Sequence, residues 1–196
     1  MATFQTAEPV RDLRMDVSAR AWGDLIHQVQ DGDITYDLPY QRGAVWTTEQ
    51  RMMLIFSMMS GTPIPALIVN KRPSRMWFDA DGGRLPVAAV IDGQQRITTV
   101  RMYMEGDLAV PASWFPAEHV IETEDTDDGP YVRYYGLARR AQRDVENRPV
   151  PVAEAHLTTV AAEAEVYLRV NGSGTPQTTE DMARAATVAA DTTEKG

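Results

Sequence analysis

Val90-Ile91-Asp92-Gly93-Gln94-Gln95-Arg96-Ile97-Thr98-Thr99 decides how this chain is read. Its apolar start is the end of a buried strand, Gly93 is a one-residue turn, and a helix opens on polar residues. Such a strand-to-helix turn leaves backbone N–H groups unpaired at one spot, backed by the positive end of the helix dipole. Arg96, one turn further on, can direct a bidentate guanidinium to the same spot. This combination suits a phosphate. A plainer reading stands beside it, with Asp92 as the N-cap, Gln95 as its capping-box partner and Gly93 present for the turn. Two glutamines, an arginine and two threonines in one turn exceed what capping alone requires, which favours the phosphate site.

The pattern around this turn is of mixed type. Residues 1–17 are polar and irregular and read as an arm. Residues 19–29 read as a short helix with Trp22, Leu25 and Ile26 inward, and residues 34–36 as a brief strand. Thr47 caps a helix through Gln50, with Glu49 in the positive first turn, and Met52, Ile55, Phe56 and Met59 form its apolar stripe up to the stop signal Gly61. Strands follow at 66–70 and 87–91, joined by a polar hairpin around 79–84. The helix after the turn buries Ile97, Val100 and Met104 and ends at Gly106. Residues 107–130 read as an acidic loop or insertion, 135–147 as a helix broken by Pro149 and Pro151, and 158–170 as a further helix. An Asn-Gly turn at 171–176, a weak helix at 179–190 and a frayed tail complete the chain. With few strands and several helices, the class is α+β. The expected main domain spans 18–178, with 179–196 as a helical extension and tail.

Composition narrows the function classes. The chain has 196 residues, enough for one domain with a substantial core. It has no cysteine, which excludes disulfides, thiol chemistry and cysteine–zinc sites. The longest apolar run, 85–91, is too short to span a bilayer and no signal-peptide pattern opens the chain, so a cytoplasmic protein without membrane contact is expected. A net charge of −9 argues against a surface that coats DNA non-specifically. Even so, Arg133, Arg139, Arg140 and Arg143 directly follow an acidic segment, and they could form a local basic face or simply a solvated helix surface. His27, His119 and His156 lie outside the motifs, so histidine-based chemistry is not expected.

The DGQQR run followed by a hydrophobic residue and two threonines resembles the signature of the DGQQR domain family. That family forms the N-terminus of GmrSD-type restriction enzymes and SspE-type defence proteins. Two further blocks carry the resemblance: Leu38-Pro39-Tyr40-Gln41-Arg42-Gly43-Ala44-Val45-Trp46 with residues 57–65 upstream, and Val166 to Pro176 downstream. The resemblance implies a ParB/sulfiredoxin-like fold with a small mixed sheet flanked by helices. It also implies a bacterial setting, phage-encoded in some cases, and a role in phage–host conflict or modified-DNA handling. Gln41 and Arg42 follow a strand and Pro39, so they sit on a restricted backbone. Gln41 suits a base or ribose edge and Arg42 a phosphate, against the alternative of a surface ion pair. The resemblance places this Gln-Arg opposite the DGQQR turn. Arg169 and Asn171 offer a further phosphate ligand and a polar contact, or no more than a left-handed turn.

The expected site therefore comprises Asp92, Gln95 and Arg96 as catalytic residues, with Gln41, Arg42, Gly93, Gln94, Arg96, Thr98, Thr99, Arg169 and Asn171 holding the nucleotide. Asp92 is the best-placed carboxylate for Mg²⁺ or for orienting water. The expected ligand is a nucleoside triphosphate (ATP, GTP or CTP) with Mg²⁺, and slow hydrolysis is the leading reading. Related kinases of the ParB-like fold carry an acidic base where this chain has Gln41-Arg42, which weakens the alternative of a kinase acting on a hydroxymethylated base or a small alcohol. A non-catalytic DNA- or protein-binding regulatory module is the third reading. No His-rich nuclease pattern is present, so a separate nuclease or other effector protein is the expected partner, with weak DNA contact that favours modified DNA.

Overall fold

The computed structural model describes residues 13–41, 43, 45–72, 77–78, 82–172 and 187. Five strands form one mixed sheet: β1 (Asp16–Ala21), β2 (Ile34–Thr35), β3 (Leu67–Lys71), β4 (Ala88–Asp92) and β8 (Pro149–Ala155), in the order β1-β8-β3-β4-β2. A second, three-stranded sheet is built from β5 (Val110–Pro111), β6 (Glu124–Thr126) and β7 (Gly129–Val132). The helices are α1 (Trp22–Gln30), α2 (Thr48–Ser60), α3 (Gln94–Met104), α4 (Arg139–Glu146) and α5 (Val160–Gly172). This is an α+β fold with a small mixed sheet flanked by helices.

Period-two alternation on β4 explains the layering. Ala88 and Val90 face a large apolar cluster with Leu25, Ile26, Ile55, Ile97 and Val100 from α1, α2 and α3. Ala89 and Ile91 face a smaller cluster with Leu38, Tyr40, Ala164, Val166 and Tyr167. A strand buried on both faces reads as a continuous apolar run, and 88–91 does. Asp92 is where that run meets solvent.

Several local expectations hold. Thr47 and Gln50 form the reciprocal capping box, and Gly61 ends α2 in the left-handed region at φ 74°. The α2 stripe, however, is rotated: Leu54, Ile55 and Met58 are buried, whereas Phe56 is 40 % exposed. Residues 16–21 are not arm and helix start but an edge strand, paired antiparallel along β8. The segment read as an acidic loop is an ordered region that contains β5, β6 and the start of β7.

The largest departure is β8, where two prolines suggested only a helix break. Val150 and Val152 are buried while Pro149 and Pro151 point out. Its parallel ladder with β3 begins only at Val152. The prolines thus sit where β8 has a single neighbour, β1, which is where a sheet tolerates a missing N–H. Of the weak helix expected at 179–190, only Thr187 falls within the described residues, and it is helical. No described helix is long and apolar enough to cross a membrane.

A buried polar network ties the two layers together. Glu163, fully buried on α5, accepts from Arg72 Nε (2.8 Å) and Nη2 (2.5 Å), from Asn70 Nδ2 (2.7 Å) and from Tyr40 Oη (3.2 Å). Asn70 also accepts from the Leu157 N–H at 2.7 Å, and the Arg72 guanidinium stacks on Trp77. Burial, then the neighbouring Glu163 charge, raises the Tyr40 hydroxyl well above the ordinary phenol range, so it remains a donor to that carboxylate.

Candidate functional site

Strand β4 ends at Asp92 and α3 begins at Gln94, so the whole turn is Gly93. Its φ of 110° lies in the region that favours glycine, and a Cβ there would stand 2.3 Å from Leu67 Cδ2. Gly93, not Asp92, is the N-cap, and α3 has no side-chain cap. The plainer reading of Asp92 and Gln95 as a capping pair is therefore corrected. Among the described residues no side chain accepts from the first-turn N–H groups of Gln94, Gln95 and Arg96, and all three residues line a cavity of about 150 Å³. Such a turn is the arrangement that attracts anions.

The cavity brings together Gln41, Asp92, Gly93, Gln94, Gln95, Arg96 and Asn171, with Ile91, Trp46 and Tyr167 as its apolar walls. Seven residues expected from three separate motif blocks thus converge. Their roles differ from the expectation, because several donors are already committed. Gln41 donates Nε2 to the carbonyls of Val90 (2.7 Å) and Ile91 (2.8 Å), which finishes the end of β4 rather than reading a base edge. Gln95 accepts the Val45 N–H (3.2 Å) and the Trp46 N–H (3.4 Å) and donates to the Gly43 carbonyl (3.1 Å). One neutral amide therefore holds the segment that brings Trp46 to the cavity.

Arg96 is turned inward. Its Nη2 pairs with Asp92 Oδ2 at 2.5 Å, and Nη1 donates to the carbonyls of Pro65 and Ala66. It is 9 % exposed. The expectation of a free guanidinium aimed at phosphate is corrected, since both Nη atoms are engaged in fixing Asp92 and the entry of β3. Arg96→Ala should cost about 2 kcal/mol by losing these charge-assisted bonds. A urea melt checks this, and an unchanged midpoint would show that the strut carries no stability.

Thr98 and Thr99 lie outside the cavity lining. Their hydroxyls donate back to the carbonyls of Gln94 and Gln95, and Thr99 also accepts from Arg51. Arg169 pairs with Glu165 at 2.5 Å on the outside of α5 and does not line the cavity. Asn171 is the penultimate helical residue, not a left-handed turn, and donates to the Tyr167 carbonyl at 3.0 Å. Arg42 and the turn residues 173–176 lie outside the described residues. Sequence reading missed Trp46 and Tyr167 as walls, although each sits inside a quoted motif block. An aromatic within a polar motif was the available signal.

With respect to metal, no group of three or more His, Asp or Glu side chains is clustered among the described residues. Asp92 offers one carboxylate oxygen beyond the one engaged by Arg96, and its side chain is 24 % exposed. That donor set fits Mg²⁺ arriving with a phosphate and keeping its waters, and does not fit a protein cage.

A family model for the N-terminal domain of GmrSD restriction endonucleases matches residues 23–188. The chain belongs to that family. The match spans all three motif blocks, so the cavity of this GmrSD-type domain is built from the segments that carry the family likeness. No curated protein matches the chain by sequence. The DGQQR signature and the association with restriction endonucleases are thus properties of this domain, and its chemistry is the next question.

Proposed function

We propose that this GmrSD-type domain binds a nucleoside triphosphate at the α3 turn and hydrolyses it with Mg²⁺, as the nucleotide-dependent part of a system that restricts foreign or modified DNA. One observation carries the reading: an uncapped helix N-terminus, opened by a glycine with no room for a side chain, stands beside a partly exposed carboxylate. Capping is the usual fate of such donors, and here they are left for a ligand.

The roles follow from the geometry. The N–H groups of Gln94, Gln95 and Arg96 take a phosphate oxygen without a side-chain charge. Asp92, held by Arg96, would carry the metal ion, which neutralises phosphate charge when bound. At about 150 Å³ the cavity suits one end of a nucleotide, with the remainder in the open mouth. Trp46 and Tyr167 provide flat apolar surface there. A separate nuclease supplies DNA cleavage.

Incubation with γ-labelled ATP, GTP and CTP tests this. Released phosphate that depends on Mg²⁺ and falls at least tenfold in Asp92→Asn is the expected result, for a variant that keeps the shape of the side chain and loses its charge. Label appearing in a hydroxymethylated duplex or a small alcohol would replace hydrolysis by phosphoryl transfer. Binding without turnover would make the domain a nucleotide sensor.

A further inference from the structure

A second hollow lies at the far end of α2 from Trp46. The helix has 13 residues, so at 1.5 Å per residue it separates the two places by about 20 Å. The hollow measures about 310 Å³ and is lined by Phe56, Trp114, Pro116, His119, Asp144 and Arg148, among others. That size is at the lower end of small-ligand sites. Phe56 and Trp114 meet edge to face, with ring centroids 5.1 Å apart and planes at 67°. Phe56 remains 40 % exposed although it belongs to an otherwise inward-reading stripe.

The charge beside it is equally uneven. Four arginines elsewhere in this acidic chain pair with carboxylates: Arg72 with Glu163, Arg96 with Asp92, Arg101 with Glu105 and Arg133 with Glu124. Arg140, Arg143 and Arg148 make no ion pair among the described residues, even with Asp144 and Glu146 close in sequence. Arg140 lies one turn before Asp144 on the same side of α4, and Arg148 enters the lining itself. An aromatic corner beside guanidiniums without a carboxylate partner matches the two needs of a single nucleic-acid strand, stacking for bases and cations for phosphates.

We propose that this hollow holds an unpaired base of a DNA strand, stacked on Trp114 with Phe56 against its edge, and with the flanking phosphates on Arg148, Arg140 and Arg143. Asp144, the carboxylate of the lining, accepts from an exocyclic amino group. The proposal does not depend on nucleotide chemistry at the α3 turn, and it gives the charge complementarity that the overall negative surface lacks.

The test uses a short, fluorescein-labelled deoxycytidine single strand, whose bases carry the exocyclic amino group, and the intact chain. Anisotropy should rise with a dissociation constant on the order of 10⁻⁴ to 10⁻⁶ M and weaken with salt. Trp114→Ala should weaken binding roughly five- to hundred-fold. Trp114→Phe keeps a stacking face and should bind within about threefold of the parent. It should also lose most of the strand-induced tryptophan quenching, because Trp22 and Trp77 are buried and Trp46 lies at the other cavity, beyond the far end of α2. Reversing Arg140 and Arg143 to Glu should flatten the salt dependence. Unchanged affinity in Trp114→Ala, no binding by the parent, or equal preference for a blunt duplex would each overturn the proposal.

Discussion

Glu163→Gln should destabilise the fold by about 3–5 kcal/mol, because it strands the buried Arg72 guanidinium without its counter-charge. The carboxylate takes both Arg72 nitrogens together with Asn70 and Tyr40 at zero exposure, and a neutral amide cannot accept from all of them. Chemical denaturation measures the loss, with circular dichroism reporting whether the variant folds at all. A double variant, Glu163→Gln with Arg72→Met, separates the causes. It removes the stranded charge and should recover a sizeable part of the loss, since well-packed apolar replacements of buried pairs are often tolerated. No recovery would assign the effect to the amide's own hydrogen bonds instead.

Gly93→Ala carries the second-largest expected effect, about 3 kcal/mol or more. Two independent costs add: a left-handed backbone that an alanine rarely adopts, and a methyl group driven into Leu67 at 2.3 Å. Leu67 is fully buried at the start of β3, so it has little room to retreat. Gly61→Ala is the control, because it has a similar positive φ with open space around it. It should cost about 1 kcal/mol. Equal melting shifts for the two variants would show that the Leu67 contact relaxes at no cost, and that only the backbone conformation matters at the α3 turn.

How much was readable beforehand depends on which physical signal each element carries. The α3 turn was legible because strand, glycine and helix have distinct periods, and the switch between them falls on two residues. The capping box at Thr47 was legible for the same local reason. β8 was not, because proline signals a break locally, and only the identity of the neighbouring strand decides whether its missing N–H matters. The convergence of Gln41, Asp92 and Asn171 on one cavity was anticipated through the family likeness, not through spacing. The direction of Arg96 was illegible at either level. One turn into a helix, the same guanidinium can reach outward to a ligand or inward to the carbonyls of Pro65 and Ala66, and long-range chain placement makes the choice.

The Glu163 network also sets how a ligand comes and goes. Glu163 and Tyr167 are one helical turn apart on α5, and Asn171 is one turn beyond. The wall they form is therefore riveted to β3 through Arg72 and Asn70. Swinging it outward would bare a lone cation in an apolar interior, so that wall moves only on the timescale of global unfolding. The opposite rim, bearing Trp46, is fastened by the uncharged Gln95 amide alone among the side-chain bonds described. Residence time at this pocket is governed on that side, by how often the Gln95 amide and the packing of Trp46 on the core release together.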